Sequence, residues 1–281
     1  MRISQTLFYV LVSIGIGYLL ILLLMYLLQS KMIYHPTRAM IATPSSVGLQ
    51  FENIRFETED DLSLHGWFIP ADSAAPTVLY FHGNAGNISG RIETLHLLHD
   101  LGLNVFMFDY RGYGKSQGTP TETGTYRDAT AAWNYLTKTS KTEADQIIIM
   151  GRSLGGSIAA WLAARQDPAA VIMESTFTSA ADLGADLYPW LPVRWMLKYD
   201  YNTLAHIREI DEPIFMAHSK DDQIVPYHHG QQLFEIVQES KRFIELRGSH
   251  GSAFWETGEK YREGLKQFLE ENTSLNSGIK E

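Results

Sequence analysis

The sequence predicts an α/β fold: a mostly parallel central sheet with helices on both faces and a small helical cap, preceded by one N-terminal transmembrane helix. Three observations carry this expectation. Compact apolar runs ("TVLYF", "LNVFMFDY", "QIIIM", "AAVIMES") alternate with longer helical patterns ("ISGRIETLHLLHDLG", "TETGTYRDATAAWNYLTK", "SLGGSIAAWLAARQ"), the order that right-handed crossovers in a parallel sheet produce. The stretch Leu7 to Leu28 carries no charge, which matches the roughly 20 residues that span about 30 Å of hydrocarbon. With 281 residues, 45% of them hydrophobic and 12% aromatic, the rest of the chain can bury one sizeable core.

In chain order, the first element is the apolar run. A cleaved leader would have an apolar region of about 7 to 15 residues and an A-x-A-like site. Here a longer run is followed by "QSKMIYHP", so residues 1–30 are expected to be an uncleaved anchor. Arg2 with the amino terminus roughly balances Lys31 and Arg38 across it, and the positive-inside rule therefore gives no orientation. Residues 31–47 are polar, proline-marked and aperiodic, which reads as a linker.

The globular domain is expected over 48–272. It opens with "LQFENIRFETEDDLSLHGWFIPA", whose alternation on both sides of "EDD" suggests an antiparallel hairpin from Phe51 to Ile69. The strand–helix alternation then takes over. It is interrupted between 176 and 210, where "TFTSAADLGADLYPWLPVRWMLKYDYNTLAHI" suggests the cap. Its Tyr188, Trp190, Trp195, Tyr199 and Tyr201 suit three settings: the lining of an acyl pocket, the membrane interface, or packing of the cap on the core. "EPIFMAHS", "HGQQLFEIVQES", "RFIEL" and "FWETGEKYREGLKQFLEEN" resume the alternation, and 273–281 reads as a frayed tail.

Charge and composition exclude several function classes. A net charge of −9 and a pI near 5.6 argue against nucleic acid, whose partners cluster Lys and Arg. Without cysteine there is no disulfide framework, thiolate nucleophile, Cys-ligated zinc or cysteine-borne lipid. No H-E-x-x-H is present, so a zinc-hydrolase reading has no support, and no metal or organic cofactor is called for. "GYGKS" lacks the leading glycine of a phosphate loop, its place being taken by Asp109. Asp109, Arg111, Lys115 and Ser116 read instead as a hydrogen-bonded structural loop.

Candidate chemistry centres on "IIIMGRSLGGSIAA". A strand to Met150 meets a helix starting near Leu154, with Ser153 on the sharp turn between them. Gly151 and Gly155 carry no side chain where strand and helix must approach closely, and the turn holds the serine hydroxyl out as a candidate nucleophile. The helix N-terminus beside it suits a developing oxyanion. A serine needs a base and a group that orients the base. Two later apolar runs end in polar loops, "AHSKDDQIVP" with Asp221 and Asp222, and "ELRGSHGSAF" with His250. Both loops lie past the C-terminal ends of strands, the edge where sites form in open parallel sheets.

Asp222, followed by an apolar pair and a proline that starts a helix, is the expected orienter, with Asp221 a solvated turn carboxylate. A glycine near each side of His250 favours a special backbone there. Glu174, at the end of "AVIMES", is an alternative acid but is expected to be structural. His96, His99, His228 and His229 fall in helical patterns and read as packing or surface residues. The oxyanion donors are expected to be the backbone N–H groups of Leu154 and of Asn84, in the turn after "TVLYF", with His82 ordering that turn.

Five motifs agree in order: "HGN" at His82 to Asn84, "DYRGYGKSQG" at Asp109 to Gly118, "GRSLGG" at Gly151 to Gly156, "DDQIVP" at Asp221 to Pro226 and "GSHG" at Gly248 to Gly251. On these the chain, from about Phe51 to Leu269, resembles the α/β-hydrolase superfamily. "DYRGYGKSQG" with "ESTFTSAADL" is most similar to its serine-aminopeptidase-like, abhydrolase-domain group, which includes membrane-anchored proteins and lipid, ester and thioester hydrolases. The chain order Ser153, Asp222, His250 is the order of that superfamily. The resemblance implies a serine hydrolase that cleaves a small-molecule acyl ester or thioester, with a lipid among the options. An acyltransferase, a peptidase or a noncatalytic membrane scaffold remain as alternatives, since one fold hosts many functions.

Overall fold

The computed structural model describes residues 2–238 and 240–276. The end of the tail, 277–281, lies outside the described residues. A first helix, α1 (Arg2–Ile33), leads into a two-residue strand, β1 (His35–Pro36). The hairpin strands β2 (Glu52–Glu57) and β3 (Ser63–Ile69) are followed by β4 (Thr77–Phe81), the two-residue β5 (Ala85–Gly86), α2 (Ile92–Asp100), β6 (Asn104–Asp109) and α3 (Glu122–Asn134). Then come β7 (Ile147–Arg152), α4 (Leu154–Ala163) and β8 (Ala170–Glu174). The cap region holds α5 (Ala180–Leu187), α6 (Val193–Met196) and α7 (Thr203–His206), and the chain closes with β9 (Ile214–Ser219), α8 (Tyr227–Ile236), β10 (Lys241–Leu246), α9 (Ala253–Thr257) and α10 (Glu259–Asn272).

Eight strands form one sheet in the order β10-β9-β8-β7-β4-β6-β3-β2. The β2–β3 and β3–β6 pairs are antiparallel and the other five are parallel. The inner parallel strands β4, β6, β7, β8 and β9 are buried along nearly their whole length, because helices cover both faces; the edge strand β10 is only partly buried. One core layer gathers Phe81, Phe106, Phe108 and Leu154; the other gathers Tyr80, Met150, Phe215 and Phe268. The register Phe81↔Gly151 and Arg152↔Glu174 sets the C-terminal ends of β4, β7 and β8 side by side.

Two details differ from the sequence expectation. The last helical pattern is two helices, because Gly258 at φ 58° breaks it between α9 and α10, a backbone region that favours glycine. Residues 31–47 are not a free linker. α1 runs on to Ile33, β1 pairs in parallel with β5, and Tyr34 is buried. The Asn87 Nδ2 donates to the carbonyls of Thr37 (3.0 Å) and Ala39 (2.8 Å). These long-range hydrogen bonds order a segment with no periodicity of its own, and a local pattern search cannot see them.

The helix α1 is long and apolar enough to cross a membrane over Ser4–Ile33, with a mean hydropathy of 2.6 and its most apolar window unburied by the rest of the chain.

Candidate active site

At the C-terminal end of β7 the chain turns into α4 through Ser153, which has φ 56° and ψ −122°. A non-glycine residue in that region is strained, and such strain persists only where surroundings over-determine it. Here the Ser153 N–H donates to the Glu174 carbonyl at 2.8 Å, while the Gly156 N–H closes back on the Ser153 carbonyl at 2.9 Å. A side chain on Gly151 would run into the Gly155 carbonyl, and one on Gly155 into the Phe81 carbonyl. The two glycines therefore permit the close approach of β7, α4 and β4 that the turn requires.

The hydroxyl faces a cavity of about 450 Å³ whose floor includes Ser153, Leu154 and Asn84. Leu154 N–H lies in the first turn of α4, where no intrahelical acceptor is available. Asn84 is fixed by its other groups: its carbonyl accepts from His35 N–H (3.2 Å) and Tyr113 Oη (2.8 Å), and its Nδ2 donates to the Ile33 carbonyl (2.7 Å). His82, two residues before it, packs against Tyr110 with ring centroids 4.4 Å apart, and its Nδ1 donates to the Gly83 carbonyl at 2.7 Å. Burial pushes the His82 imidazole down to about 4, so it is neutral at physiological pH.

Across the sheet edge, the loop after β9 presents Asp222 and the loop after β10 presents His250. The His250 Nδ1 lies 2.7 Å from Asp222 Oδ2. The other carboxylate oxygen accepts the N–H groups of Ile224 and Val225, each at 2.9 Å. Burial raises the Asp222 pKa, but the hydrogen bond and charge of His250 with the two N–H donors outweigh it and hold the carboxyl below its usual range. The 2.7 Å contact suits an imidazole with Nδ1 protonated and Nε2 free to accept a proton. Ser153 and His250 make no direct hydrogen bond in the structure, the His250 side chain being engaged with Asp222.

Several neighbours were not legible as site residues. His218, four residues before Asp222, is buried; its Nε2 donates to the Val225 carbonyl at 2.9 Å and sits 3.6 Å from Asp222 Oδ2. Asp221 is more than a solvated turn carboxylate, because its Oδ2 accepts the Gly248 N–H at 3.1 Å, while Ser219 Oγ donates to the Gly248 carbonyl at 2.6 Å. The two contacts clamp the base of the His250 loop. Of the glycines around His250, Gly248 has φ 101° whereas Gly251 faces open space without positive φ. Only the first needs to be glycine.

Glu174 lies in a contact network of its own. Its carboxylate pairs with Arg152 at 2.6 Å and accepts from Tyr261 Oη, and the Arg152 guanidinium lies 4.0 Å over the Phe254 ring. The group ties β7 to α9 and α10, which follow His250. The loop from Asp109 to Gly118 is likewise internal: Ser116 Oγ donates to the Asp109 carbonyl (2.6 Å), and Arg111 bridges Asp60 and Asp128 (both 2.8 Å).

Among the described residues, Asp186, His228 and His229 offer three potential metal-ligand atoms within 4.8 Å of one another. They join α5 to α8, with His228 Nε2 at 2.9 Å and His229 Nε2 at 3.2 Å from Asp186 Oδ2. His228 thus joins α8 to the cap through Asp186, while His229 Nδ1 accepts the Thr178 N–H at 3.2 Å, a more specific role than packing.

Comparison with known proteins places the fold. A family profile described as alpha/beta hydrolase fold matches residues 76–202. The alpha/beta hydrolase domain-containing protein WAV2 of Arabidopsis thaliana is 32% identical, covering 86% of this chain and 87% of that one. Protein bem46 of Schizosaccharomyces pombe is 29% identical over 96% of both chains. Among solved structures, an esterase of Pyrococcus furiosus superposes with a TM-score of 0.72 at 21% identity, covering 86% of this chain and 98% of that one. Family profile, relatives and sheet topology coincide, and the chain belongs to the α/β-hydrolase family.

Proposed function

We propose that this protein is a membrane-tethered serine hydrolase that cleaves an acyl ester or thioester. The observation that carries the reading is the Asp222–His250 pair, 2.7 Å apart, at the same sheet edge as a serine held at φ 56° on the floor of an apolar cavity. Ser153 Oγ attacks the acyl carbonyl while His250 Nε2 takes its proton; Asp222 holds the imidazole and stabilises the imidazolium. The N–H groups of Leu154 and Asn84 receive the oxyanion, each worth about 100- to 1000-fold in rate. His250 returns the proton to the leaving group, then activates a water that releases the acid. The residues supply each proton transfer in this sequence. The uncovered apolar surface of α1 supports the tethering.

The test is fluorophosphonate labelling of the full chain in detergent, beside Ser153→Ala and His250→Ala, followed by a short-to-long acyl-ester panel. Wild type should label and both variants should not turn over ester, since losing a triad member costs about 10⁶-fold in kcat. Folded wild type that neither labels nor turns over any ester refutes the hydrolase reading and favours a scaffold. Adding an alcohol to the assay separates hydrolysis from acyl transfer by product.

A further inference from the structure

The cavity over Ser153 is closed on one side by the apolar helix itself. Met25, Gln29 and Met32 of α1 line it together with Leu183 and Met196 of the cap. Gln29, an amide in an apolar helix, is buried to 7% exposure and engages the cap backbone with both polar ends: Nε2 donates to the Met196 carbonyl (2.7 Å) and Oε1 accepts the Lys198 N–H (2.8 Å). Tyr18 Oη donates to the Trp190 carbonyl at 3.1 Å, and the Lys198 ammonium sits 3.9 Å over the Tyr26 ring. At the helix end the Ile33 carbonyl, which lacks an intrahelical donor, accepts Asn84 Nδ2. The helix is therefore joined to both the cap and the loop that supplies an oxyanion donor.

The opposite face of α1 is open, with Leu20, Leu24 and Leu27 each more than half exposed. The cap beside it exposes Trp195 (93%) and Trp190 (56%), residue types that settle at a membrane interface. From Tyr18 to Gln29 the helix rises about 16 Å, roughly half of a hydrocarbon core of about 30 Å. An α1 that spans a bilayer sets the cap, and the cavity it shares with the helix, alongside one leaflet. At about 450 Å³, with a methylene taken as roughly the ~30 Å³ of a liquid water, the space holds on the order of 15 methylenes. That is one acyl chain.

We propose that α1 is a wall of the substrate pocket and that the substrate is a long-chain acyl ester of a membrane lipid, drawn sideways from the leaflet against which the cap lies. The chemistry rests on the serine-hydrolase reading, whereas the binding does not. In the reaction the Ser153 Oγ–acyl bond forms as the lipid's ester C–O bond breaks, and the lipid alcohol leaves with the proton held by His250. Water then yields the fatty acid.

The test uses full-length Ser153→Ala in phosphatidylcholine vesicles containing a phosphatidylcholine with a photoactivatable acyl chain. After irradiation, crosslinked lipid is expected on the peptide carrying Phe177, a buried residue of the cavity, and to fall at least fivefold in Met25→Trp. Crosslinks confined to outward residues such as Leu20 and Leu24, unchanged by Met25→Trp, overturn the proposal. In the Ser153-intact protein, Met25→Trp should lower the ratio of long- to short-chain ester turnover tenfold or more. Trp195→Glu should lower turnover of vesicle-embedded ester relative to the same ester in micelles; equal ratios overturn lateral entry. Fluorophosphonate labelling of Ser153 reads the nucleophile separately, so failure of the hydrolase reading and failure of the lipid pocket give different results.

Discussion

Replacing Asp222 by Asn should abolish activity through the tautomer of His250, and the local hydrogen bonds say why. Asp222 Oδ1 accepts two backbone N–H groups, from Ile224 and Val225. An asparagine amide must keep its oxygen there, because turning its NH₂ toward two donors would leave three groups unsatisfied at a buried site, each costing about 1–3 kcal/mol. The NH₂ is therefore forced toward His250, where Oδ2 now sits 2.7 Å from Nδ1. Nδ1 must become the acceptor, which moves the imidazole proton to Nε2, and the ring can no longer take the proton of Ser153.

An equivalent substitution in a serine protease costs about 10⁴-fold in kcat, equal to about 5.4 kcal/mol of transition-state stabilisation. The assay is steady-state ester hydrolysis by full-length wild type, Asp222→Asn and Glu174→Gln, with thermal unfolding of each. Glu174→Gln should keep activity within about tenfold, because its partners are Arg152 and Tyr261. Asp222→Asn retaining more than a tenth of wild-type activity, or Glu174→Gln losing as much as Asp222→Asn, refutes this assignment of the acid.

Other expectations follow from the same contacts. Glu174→Ala leaves the largely buried Arg152 guanidinium unpaired and should destabilise the fold by about 3–5 kcal/mol, read as a lowered urea midpoint; an unchanged midpoint contradicts the buried pair. Gly155→Ala forces a methyl group into the carbonyls of Phe81 and His82 and should destabilise by at least about 1–3 kcal/mol. Gly251→Ala meets nothing within 4 Å and should unfold at the wild-type temperature. Burial holds His82 at about 4 in the folded chain, so the folded state refuses a proton that the unfolded chain accepts. The stability from this neutral histidine is present above the ordinary imidazole range and is lost as pH falls through about 4. The loss is on the order of 3 kcal/mol, and His82→Asn should flatten that part of the pH profile.

Much of this protein was legible in its sequence because the relevant signals are local. Alternating apolar runs and helical periods gave the parallel strands, since strands buried on both faces need continuous apolar residues. Ser153 was legible because a strand, two glycines and a helix in one short stretch describe the turn that holds it. Asp222 and His250 were legible as residues in loops past strand ends, but their 2.7 Å contact depends on β9 and β10 being neighbours in the sheet. The roles of His218, Asp221, Arg152 and Gln29 had no local signature, because each acts on a group distant along the chain or on a loop whose course only the folded sheet defines. The same reason hid the order in residues 31–47, whose partners are Asn84, Gly86 and Asn87. Sequence by itself determined the sheet, the tight turn that carries Ser153 and an apolar helix able to cross a membrane. Only the tertiary structure decided that the helix closes the cavity above Ser153, because that wall is made by hydrogen bonds between residues more than 160 positions apart, a separation no periodicity encodes.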